Sequence, residues 1–361
     1  MIELLKLHHF RGLEETTLHL GPSVNMWLGE NGAGKTSVLE SVALLSFGRS
    51  FVTSRNKSLI AFDQPELTVF SKVLRGTESH RMAVQITRGG ERRLRFDGAA
   101  ARGQATLSRA LPVLTIAPHI ADLIVGTPGD RRRFMDWGAF HCTNGEAHVF
   151  AGLKRALLQR NTGLRSGTLT DQDLASWDCQ IAALGEQVDC WRSAFVAQIQ
   201  PAFTRMSAAL GLKLSLAIRY HRGWGEGSLL SELELSRDRD RKLRLTQLGP
   251  QRADIEFLCG KEKASEVLSR GQLKTANVAL VLAQLEVARC AGVEPVLCLD
   301  DPGAELDARF QASMWQQVLR SGCQVLATGI DEQRVGLSID GSVDPRVFHV
   351  KHGLISVHKE G

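Results

Sequence analysis

Residues 29–36 (GENGAGKT) constrain the fold of this chain more than any other segment, because they match the pattern G-x-x-x-x-G-K-[ST]. The mostly apolar run 24–28 precedes the match, and apolar residues at helical spacing follow it over 36–47. Strand, glycine-rich loop and helix in this order form a phosphate-binding loop, in which backbone N–H groups at the positive end of the helix face an anion. The alternative, a glycine-rich turn that matches by chance, is disfavoured by the flanking strand and helix.

The positions of this loop have distinct expected roles. Gly32 and Gly34 let the backbone bend so that N–H groups point toward a phosphate. The Lys35 ammonium is expected to reach the β- and γ-phosphates, and the Thr36 hydroxyl is expected to ligate Mg²⁺. The predicted nucleotide-binding residues are the loop and the residue after it, namely Gly29, Glu30, Asn31, Gly32, Ala33, Gly34, Lys35, Thr36 and Ser37.

The composition is that of an ordinary globular chain. Its 361 residues are 43% hydrophobic and 23% charged, enough for more than one core. The net charge of +5 is compatible with a polyanionic partner but does not demand one. Seven scattered cysteines without a C-x-x-C pair indicate neither a disulfide framework nor a zinc site. We find no signal-peptide pattern and no apolar run that could span a bilayer, so a cytoplasmic location is expected.

The pattern of apolar residues separates β-rich from helical parts of the chain. It predicts strands before residue 118 and helices over 145–210, broken near 163–170 and again at Pro201. We therefore predict a first lobe of residues 1–118 and 285–361 and a mainly helical second lobe of residues 119–284. The predicted strands are 2–10, 17–20, 24–28, 67–74, 82–87, 92–96, 111–116 and 212–220.

Several basic segments leave alternatives open. For Arg11, the pattern alone favours a solvated turn residue over a residue that contacts nucleotide or nucleic acid. The alternation over 92–96 indicates a half-exposed strand with a cationic face, and less readily a track for a phosphate backbone. The dense charged run 236–244 favours a solvated helix with many ion pairs over a DNA-facing edge.

Three consecutive arginines, at 131–133, follow Asp130, which is expected to cap a helix. Arginines are disfavoured at the positive end of a helix, so the cluster is expected to have an anionic partner. An internal carboxylate such as Asp136 or Asp122 is one possibility. DNA phosphate or a second subunit is the other.

A second part of the expected phosphate site is the acidic pair that ends the predicted buried strand 295–299. Adjacent carboxylates are what Mg²⁺ coordination and water activation require beside a phosphate-binding loop. Asp300 is expected to hold the metal through water, and Asp301 to orient the attacking water as general base or hydrogen-bond acceptor. The predicted catalytic residues are thus Lys35, Asp300 and Asp301, with Thr36 and Asp300 at the metal. If this segment is considered alone, a strand that simply ends in an acidic turn without function would be a serious alternative to a metal site.

Residues 268–274 (LSRGQLK) precede an apolar helix and predict a second anion site. Ser269 and Gly271 place a hydroxyl and backbone N–H groups at the N-terminus of that helix. The N-termini of two such helices seldom contact the same triphosphate within one chain. In two chains arranged head to tail, however, each chain can cover the nucleotide bound by the other. Residues 304–307 (AELD) would then lie at the seam.

Together these stretches resemble ABC-type, SMC-like ATPase heads, and within them the RecF family of bacterial recombination mediators. In the ABC pattern, 29–36 is the Walker A motif, 268–272 the signature motif, 296–301 the Walker B motif and 304–307 the D-loop. The resemblance to the RecF family runs from end to end. It rests further on residues 5–11, 48–55, 126–136 and 249–254, and on the acidic pair followed by 305–307.

The resemblance implies an α/β fold: an ABC-type ATPase head with mixed β-sheets around a phosphate-loop core, plus a mainly helical second lobe. It implies ATP and Mg²⁺ as ligands, weak DNA-dependent ATPase activity and an ATP-dependent homodimer. It further implies binding to duplex DNA and to single-strand/duplex junctions in gap repair. There the protein would work with RecR and RecO to assist RecA loading, and slow ATP hydrolysis would set the time of DNA release. Asp301, in place of the glutamate of most ABC ATPases, fits weak hydrolysis. The residues implied to meet the partner's nucleotide are Ser269, Arg270, Gly271, Gln272 and Asp307.

The chain departs from the RecF pattern at a few positions. Gly12-Leu13 stands where Asn-Tyr is usual, Gln251 where His is usual, and Ala304 where Ser is common. The switch histidine of other ABC ATPases is replaced near Thr328, as is usual in this family. These changes bear on DNA or adenine contacts and on the control of hydrolysis. The other classes considered are an ABC transporter ATPase subunit, which the missing histidine, the acidic pair and the basic helical arm of residues 145–210 disfavour, and a chromosome-organising SMC head, which the lack of long heptads disfavours.

Overall fold

A computed structural model of the chain describes residues 1–53, 55–117, 123–303, 307–331, 335 and 345–357. Within these residues, none of the helices combines the length and the apolar character needed to cross a membrane. The chain divides into two compact units. The first consists of Met1–Ile120, Ala209–Gly211 and Gly292–Gly361, and the second of Ala121–Ala208 and Leu212–Ala291.

The compact units and the predicted lobes differ in their assignment of residues 119–120, 209–211 and 285–291. The sequence placed a lobe boundary at 284/285, whereas the compact second unit ends at Ala291. The reason is that the helix beginning at Arg270 continues without interruption to Cys290, and a helix is a cooperative element that seldom divides between two units.

In the part of the chain that the structure describes, the elements are numbered in order as strands β1–β15 and helices α1–α9. The strands are β1 (Ile2–His8), β2 (Thr16–His19), β3 (Val24–Leu28), β4 (Glu66–Arg75), β5 (Glu78–Thr87), β6 (Arg92–Phe96), β7 (Ala99–Ala100), β8 (Val113–Ile116), β9 (Leu216–His221), β10 (Asp254–Cys259), β11 (Glu262–Lys263), β12 (Val296–Leu299), β13 (Val325–Gly329), β14 (Arg346–Lys351) and β15 (Leu354–Val357). The helices are α1 (Lys35–Phe47), α2 (Gln104–Ala110), α3 (Pro128–Cys142), α4 (Ala147–Ser166), α5 (Asp171–Ala209), α6 (Leu229–Leu243), α7 (Ala264–Val267), α8 (Arg270–Cys290) and α9 (Ala308–Ser321).

Two sheets organise the described part of the first unit. One is antiparallel, in the order β2-β1-β4-β5-β6-β7. The other has the order β15-β14-β3-β13-β12-β8, in which all neighbours are parallel except β14 and β15. Strands β3, β12 and β13 are buried along their whole length, as parallel strands covered on both faces are. The predicted α/β class with mixed sheets is confirmed.

Helix α1 packs against strands of both sheets, with contacts to β4, β5, β8 and β13. Its apolar side chains are therefore buried on all sides instead of along one stripe, and Val38, Leu39, Val42 and Leu45 are fully buried. The two sheets thereby fix the start of α1, which is also the end of the glycine-rich loop 29–36.

The second unit is mainly helical and contains the antiparallel sheet β11-β10-β9. Apolar side chains of α4, α5 and α6 form one core, which includes Leu153, Ile181, Val188, Leu229 and Leu233. The predicted break in the helical region is present, but α4 continues to Ser166 before it.

A fully buried arginine ties the same three helices together. Arg160 of α4 donates from Nε to Asp178 of α5 (2.9 Å) and from Nη1 to Asp240 of α6 (2.7 Å). All three side chains are 0% exposed, and Arg237 adds a second ion pair to Asp178 at 2.7 Å. The expected solvated helix over 236–244 is therefore only partly correct, because one face of α6 is buried around Asp240.

Two local predictions in this unit are wrong. Pro201 does not interrupt the helix: α5 runs from Asp171 to Ala209 with Pro201 inside it. Proline removes one backbone hydrogen bond, but the neighbouring buried residues Ala202 and Phe203 keep this part of the helix in the core. Helix α3 is capped by Thr127 and not by Asp130, whose carboxylate instead completes a capping box with Thr127.

Candidate functional site

The backbone of the loop 29–36 requires glycine at several positions. Gly29, Gly32 and Gly34 have φ values of 157°, 81° and 110°, a region that favours glycine. A Cβ at Gly29 would lie 2.2 Å from the Val350 carbonyl oxygen, and a Cβ at Gly34 would lie 2.7 Å from the Leu13 Cδ2 atom. Both the dihedral angles and the close approach of neighbouring chain therefore exclude larger residues.

Helix α1 begins at Lys35 with an N-terminus that no side chain caps. Its N-cap is Gly34, which has no side-chain oxygen to accept from the first N–H groups. By contrast, the N-cap side chains of α3 and α8, Thr127 and Ser269, each accept from the N–H of the third helical residue. Because the first turn of a helix carries partial positive charge, the start of α1 is suited to accept an external anion.

The Lys35 side chain lies within the loop and is 8% exposed. Its ammonium donates to the carbonyl oxygens of Gly29 (2.7 Å) and Glu30 (2.8 Å). An ammonium has three donors, so one remains for a phosphate oxygen. Burial lowers the pKa of Lys35, and the negative charges of Asp301 and Asp300 partly oppose this. A phosphate beside the ammonium would favour its charged form further.

Hydroxyl groups hold Asp300 beside Thr36. Thr36 Oγ1 donates to Asp300 Oδ1 at 2.9 Å, and Thr328 Oγ1 donates to the same oxygen at 2.7 Å. Strands β3, β13 and β12 are parallel neighbours, so their carboxyl ends, where ligands bind in such sheets, meet at one edge. The structure thus brings together two residues predicted from segments 264 positions apart.

Thr36 and Asp300 fit a Mg²⁺ ion. Magnesium prefers oxygen ligands and keeps several waters, which suits one hydroxyl bound directly and one carboxylate bound through water. Because Thr36 donates its hydrogen to Asp300, its oxygen lone pairs are directed away from the carboxylate, and the carboxylate orients the hydroxyl. The role of these residues at the metal stays a prediction.

Asp301 is oriented through its main chain. It has a φ of 46°, which is uncommon except in Gly, Asn and Asp, and its N–H donates to Thr328 Oγ1 at 2.9 Å. Thr328 therefore fixes both acids, because the same hydroxyl also donates to Asp300. Sequence reasoning considered Thr328 only as a replacement for a histidine and missed this contact, which depends on the pairing of β12 with β13.

Two turns form a wall against the loop. The Gly353 N–H, in the turn between β14 and β15, donates to the Ala33 carbonyl at 3.1 Å, and the Gly353 carbonyl accepts from Glu14 N–H at 3.0 Å. A Cβ at Gly353 would lie 2.0 Å from the Gly12 carbonyl oxygen. Gly12-Leu13, where the chain departs from the RecF pattern, is thus part of this wall. The β14–β15 hairpin was not predicted, although alternating apolar residues around His352-Gly353 are a hairpin signal.

Ser269 lies at the N-terminus of α8, as predicted, and is exposed. Its Oγ accepts from Gln272 N–H at 3.4 Å, while Gln272 Oε1 accepts from Ser269 N–H at 2.9 Å. Gln272 therefore has a structural role in a capping box that the sequence prediction did not include. Because Ser269 Oγ is the acceptor in its own cap, the hydroxyl hydrogen can still donate to a phosphate. Arg270 and Gly271, next to it, are also exposed.

Asp307 is the N-cap of α9, where its carboxylate accepts from Phe310 N–H at 2.8 Å. The predicted D-loop residues Ala304, Glu305 and Leu306 lie outside the described residues. The same holds for Asp122, one of the two carboxylates expected to pair with the arginine cluster.

Arg11 is not the solvated turn residue that the sequence favoured. Its guanidinium binds Glu40 of α1, with Nε 2.6 Å and Nη2 2.7 Å from the two carboxylate oxygens. Glu40 is 1% exposed, so the pair joins the turn after β1 to the helix that follows the phosphate loop.

The arginine cluster 131–133 has internal partners, but not Asp136. Arg131 forms a two-pronged ion pair with Asp254, at 2.6 and 2.8 Å. Arg132 donates to the Ala253 carbonyl, and Arg133 pairs with Asp130. Asp136 instead binds Arg192 at 2.7 Å. An internal carboxylate is thus the partner of Arg131, as one of the two alternatives held, and the paired residue is 123 positions away.

Residues 1–354 of the chain match the family described as the RecF/RecN/SMC N terminal domain. A protein of Stutzerimonas stutzeri (strain A1501), named DNA replication and repair protein RecF, is 37% identical over 350 residues, which cover 96% of this chain and 94% of the relative. A protein of the same name from Marinomonas sp. (strain MWYL1) is 35% identical over 359 residues, covering 99% and 98%.

Solved structures share the fold. The recombination mediator protein RecF with ATP, of the RecFOR pathway, superposes with a TM-score of 0.88 at 22% identity, covering 99% of this chain and 97% of that one. An Smc head bound to the C-terminal winged-helix domain of ScpA superposes with a TM-score of 0.55 at 16% identity, covering 99% and 96%. The predicted ABC-type ATPase head is therefore confirmed as the fold.

Proposed function

The chain belongs to the RecF family of SMC-like ABC ATPase heads, and we propose that it is an ATP-binding protein of DNA replication and repair. In this proposal, ATP-driven dimerisation clamps DNA near single-strand/duplex junctions, and the complex assists recombinase loading in gap repair. The observation that carries the proposal is a cluster of four side chains at the uncapped N-terminus of α1, namely Lys35, Thr36, Thr328 and Asp300. The alternative of a transporter ATPase subunit is not favoured, because the similarity to RecF proteins extends over nearly the whole chain.

The chain's own residues account for nucleotide binding and slow hydrolysis. The N-terminus of α1 and the Lys35 ammonium bind the phosphates, and Lys35 is held in place by two loop carbonyls. Thr36 and Asp300 would hold Mg²⁺, which when bound neutralises phosphate charge. Asp301 positions a water molecule by accepting a hydrogen bond from it. Its side chain is one methylene shorter than glutamate, which fits a weak ATPase.

The second anion-binding element completes the proposed site in trans. Ser269 is exposed at a helix N-terminus and retains a donor hydrogen. In a head-to-tail dimer, Ser269, Arg270 and Gly271 of one protomer would face the γ-phosphate bound by its partner. Affinity between protomers would then depend on the nucleotide. For partners we propose DNA and RecR-, RecO- and RecA-type proteins, by analogy with the RecFOR pathway protein of the same fold.

The Ser269→Arg substitution tests this arrangement. The larger cation is expected to remove the donor and obstruct the partner's triphosphate, so that Mg-ATP binds to monomers. In the wild type, Mg-ATP is expected to double the mass measured by light scattering, and in the variant the mass is expected to stay that of one chain. Ser265→Arg, at an exposed residue outside the motif, is the matched control and is expected to dimerise normally.

DNA binding is measured on the same proteins across a salt series with ATP, ADP or no nucleotide. The wild type with ATP is expected to bind gapped duplex most tightly, with a salt slope that reports the number of phosphates neutralised. The proposal is refuted if wild-type mass and DNA affinity do not depend on nucleotide across a wide range of protein concentrations.

Thr328→Val is expected to slow ATP hydrolysis roughly 10- to 100-fold, in the range seen when residues that orient metal ligands are removed. Valine keeps the shape of threonine but neither donates to Asp300 nor accepts from Asp301 N–H. Binding of ATP in EDTA should stay within a few-fold of wild type, since Lys35 and the loop are unchanged. Thr328→Ser should restore hydrolysis. Equal kcat in the valine variant and the wild type would show that the hydroxyl does not position the acids.

A further inference from the structure

Three side chains that can act as metal ligands meet at the turn between β1 and β2. His8 Nε2 lies 2.7 Å from Glu15 Oε1, and His9 Nε2 lies 3.6 Å from the same oxygen. Their ligand atoms all lie within 4.8 Å of one another, a spacing that no other group of His, Cys, Asp and Glu side chains reaches within the described ranges. Glu15 is 63% exposed and His8 48%, so ions can reach the group from solvent.

An unusual backbone conformation brings the two adjacent imidazoles to one side. Successive side chains in a strand point to opposite faces, so neighbours seldom share a ligand. His9, which follows β1, has a φ of 52°, in the left-handed region that residues with a Cβ rarely adopt. The alternation ends there, and the ring centroids of His8 and His9 lie only 3.7 Å apart. Such backbone outliers often occur at functional sites.

The His9 ring can rearrange without losing a competing bond. Its Nδ1 is buried and has no hydrogen-bond partner in the part of the chain that the structure describes. Two imidazoles and a carboxylate form an N₂O ligand set, which suits Zn²⁺ and similar ions better than Mg²⁺ or Ca²⁺. Three protein ligands leave a fourth tetrahedral position for water or another ligand.

We propose that His8, His9 and Glu15 form a binding site for a divalent transition-metal ion such as Zn²⁺, separate from the nucleotide site. The two histidines lie at the start of the turn between β1 and β2 and Glu15 lies at its end, so a bound ion would link the two ends of that turn. The same turn supplies Leu13, which lies against Gly34 of the phosphate loop. The metal site is built from the first unit alone and does not depend on dimerisation or DNA.

The test measures Zn²⁺ binding to untagged, full-length protein that has been treated with a chelator, by competition with a chromogenic indicator. The wild type is expected to bind one equivalent more than the variant His8→Gln/His9→Asn. Asparagine is chosen at position 9 because it tolerates a left-handed backbone. His148→Asn is the matched control, since His148 is exposed and pairs with Glu146. It should bind as many equivalents as the wild type.

A second measurement keeps the result independent of folding defects. Saturating Zn²⁺ is expected to raise the Tm of the wild type and of His148→Asn, but not of His8→Gln/His9→Asn or of the single exposed variant Glu15→Gln. Zinc bound by exposed cysteines contributes equally to all these proteins. The proposal is overturned if the double histidine variant and Glu15→Gln bind as much Zn²⁺ as the wild type. ATP binding, measured in parallel, reports on the nucleotide site and not on the metal site.

Discussion

Replacing Lys35 with methionine is expected to weaken ATP binding roughly 10- to 150-fold, since it removes one charge-assisted hydrogen bond to a phosphate, which contributes about 1.5–3 kcal/mol. Methionine keeps the length of the side chain but removes the ammonium, which is fixed above the loop by the carbonyls of Gly29 and Glu30. Nucleotide-dependent dimerisation and stable DNA binding should be lost together with ATP binding. Titration with ATP by calorimetry measures the affinity, and light scattering measures the mass.

Lys57→Met is the matched control, because Lys57 is exposed and belongs to the same compact unit. It is expected to bind ATP as the wild type does. Lys35→Arg is a stricter variant: it keeps the charge, but its planar guanidinium does not fit where a compact ammonium meets two carbonyls, and we expect it to lose ATP-dependent dimerisation as well. An ATP affinity within three-fold of wild type in Lys35→Met would contradict the proposed phosphate site.

The parts of the fold that the sequence predicted well are those where local pattern and tertiary structure agree. Strand β3, the glycine loop and α1 are as predicted to within one residue, and β6 is as predicted. Strand β12 ends directly before the acidic pair, as expected where a buried apolar run is followed by two carboxylates. The glycine φ values also follow from the motif, since the loop is defined by its backbone.

The contacts that the sequence could not predict depend on tertiary pairing. Thr328 reaches Asp300 only because β13 lies beside β12. The wall formed by Gly353 and Gly12 joins chain segments from opposite ends of the sequence. Asp254 as the partner of Arg131, and Glu40 as the partner of Arg11, could not be chosen from many equivalent carboxylates by spacing alone. Pro201 shows the converse, where burial overrides a local preference.

Asp178→Ala is expected to destabilise the protein by about 3–5 kcal/mol, the cost typical of removing one partner from a buried ion pair. Arg160 is fully buried; its Nε donates to Asp178 Oδ1 at 2.9 Å, and its Nη2 lies 2.9 Å from the same oxygen. Without Asp178 it would keep Asp240 and Thr246 as acceptors of Nη1, but Nε and Nη2 would lose the carboxylate and stay out of water. The free energy of unfolding is measured by urea denaturation, with circular dichroism following the helices.

Two further variants separate the buried charge from the loss of helix contacts. Asp171→Ala removes an exposed carboxylate of the same helix that pairs with the exposed Arg241, and no measurable change in the urea midpoint is expected. Asp178→Asn keeps an oxygen that can accept from Arg160 but removes the compensating charge, so its stability should fall between those of Asp178→Ala and the wild type. If the alanine variant unfolded at the wild-type urea concentration, the Arg160 network would not be what joins α4, α5 and α6. The large expected loss of stability arises from Arg160, because its side chain is 0% exposed among α4, α5 and α6 and its unpaired N–H groups would not reach water.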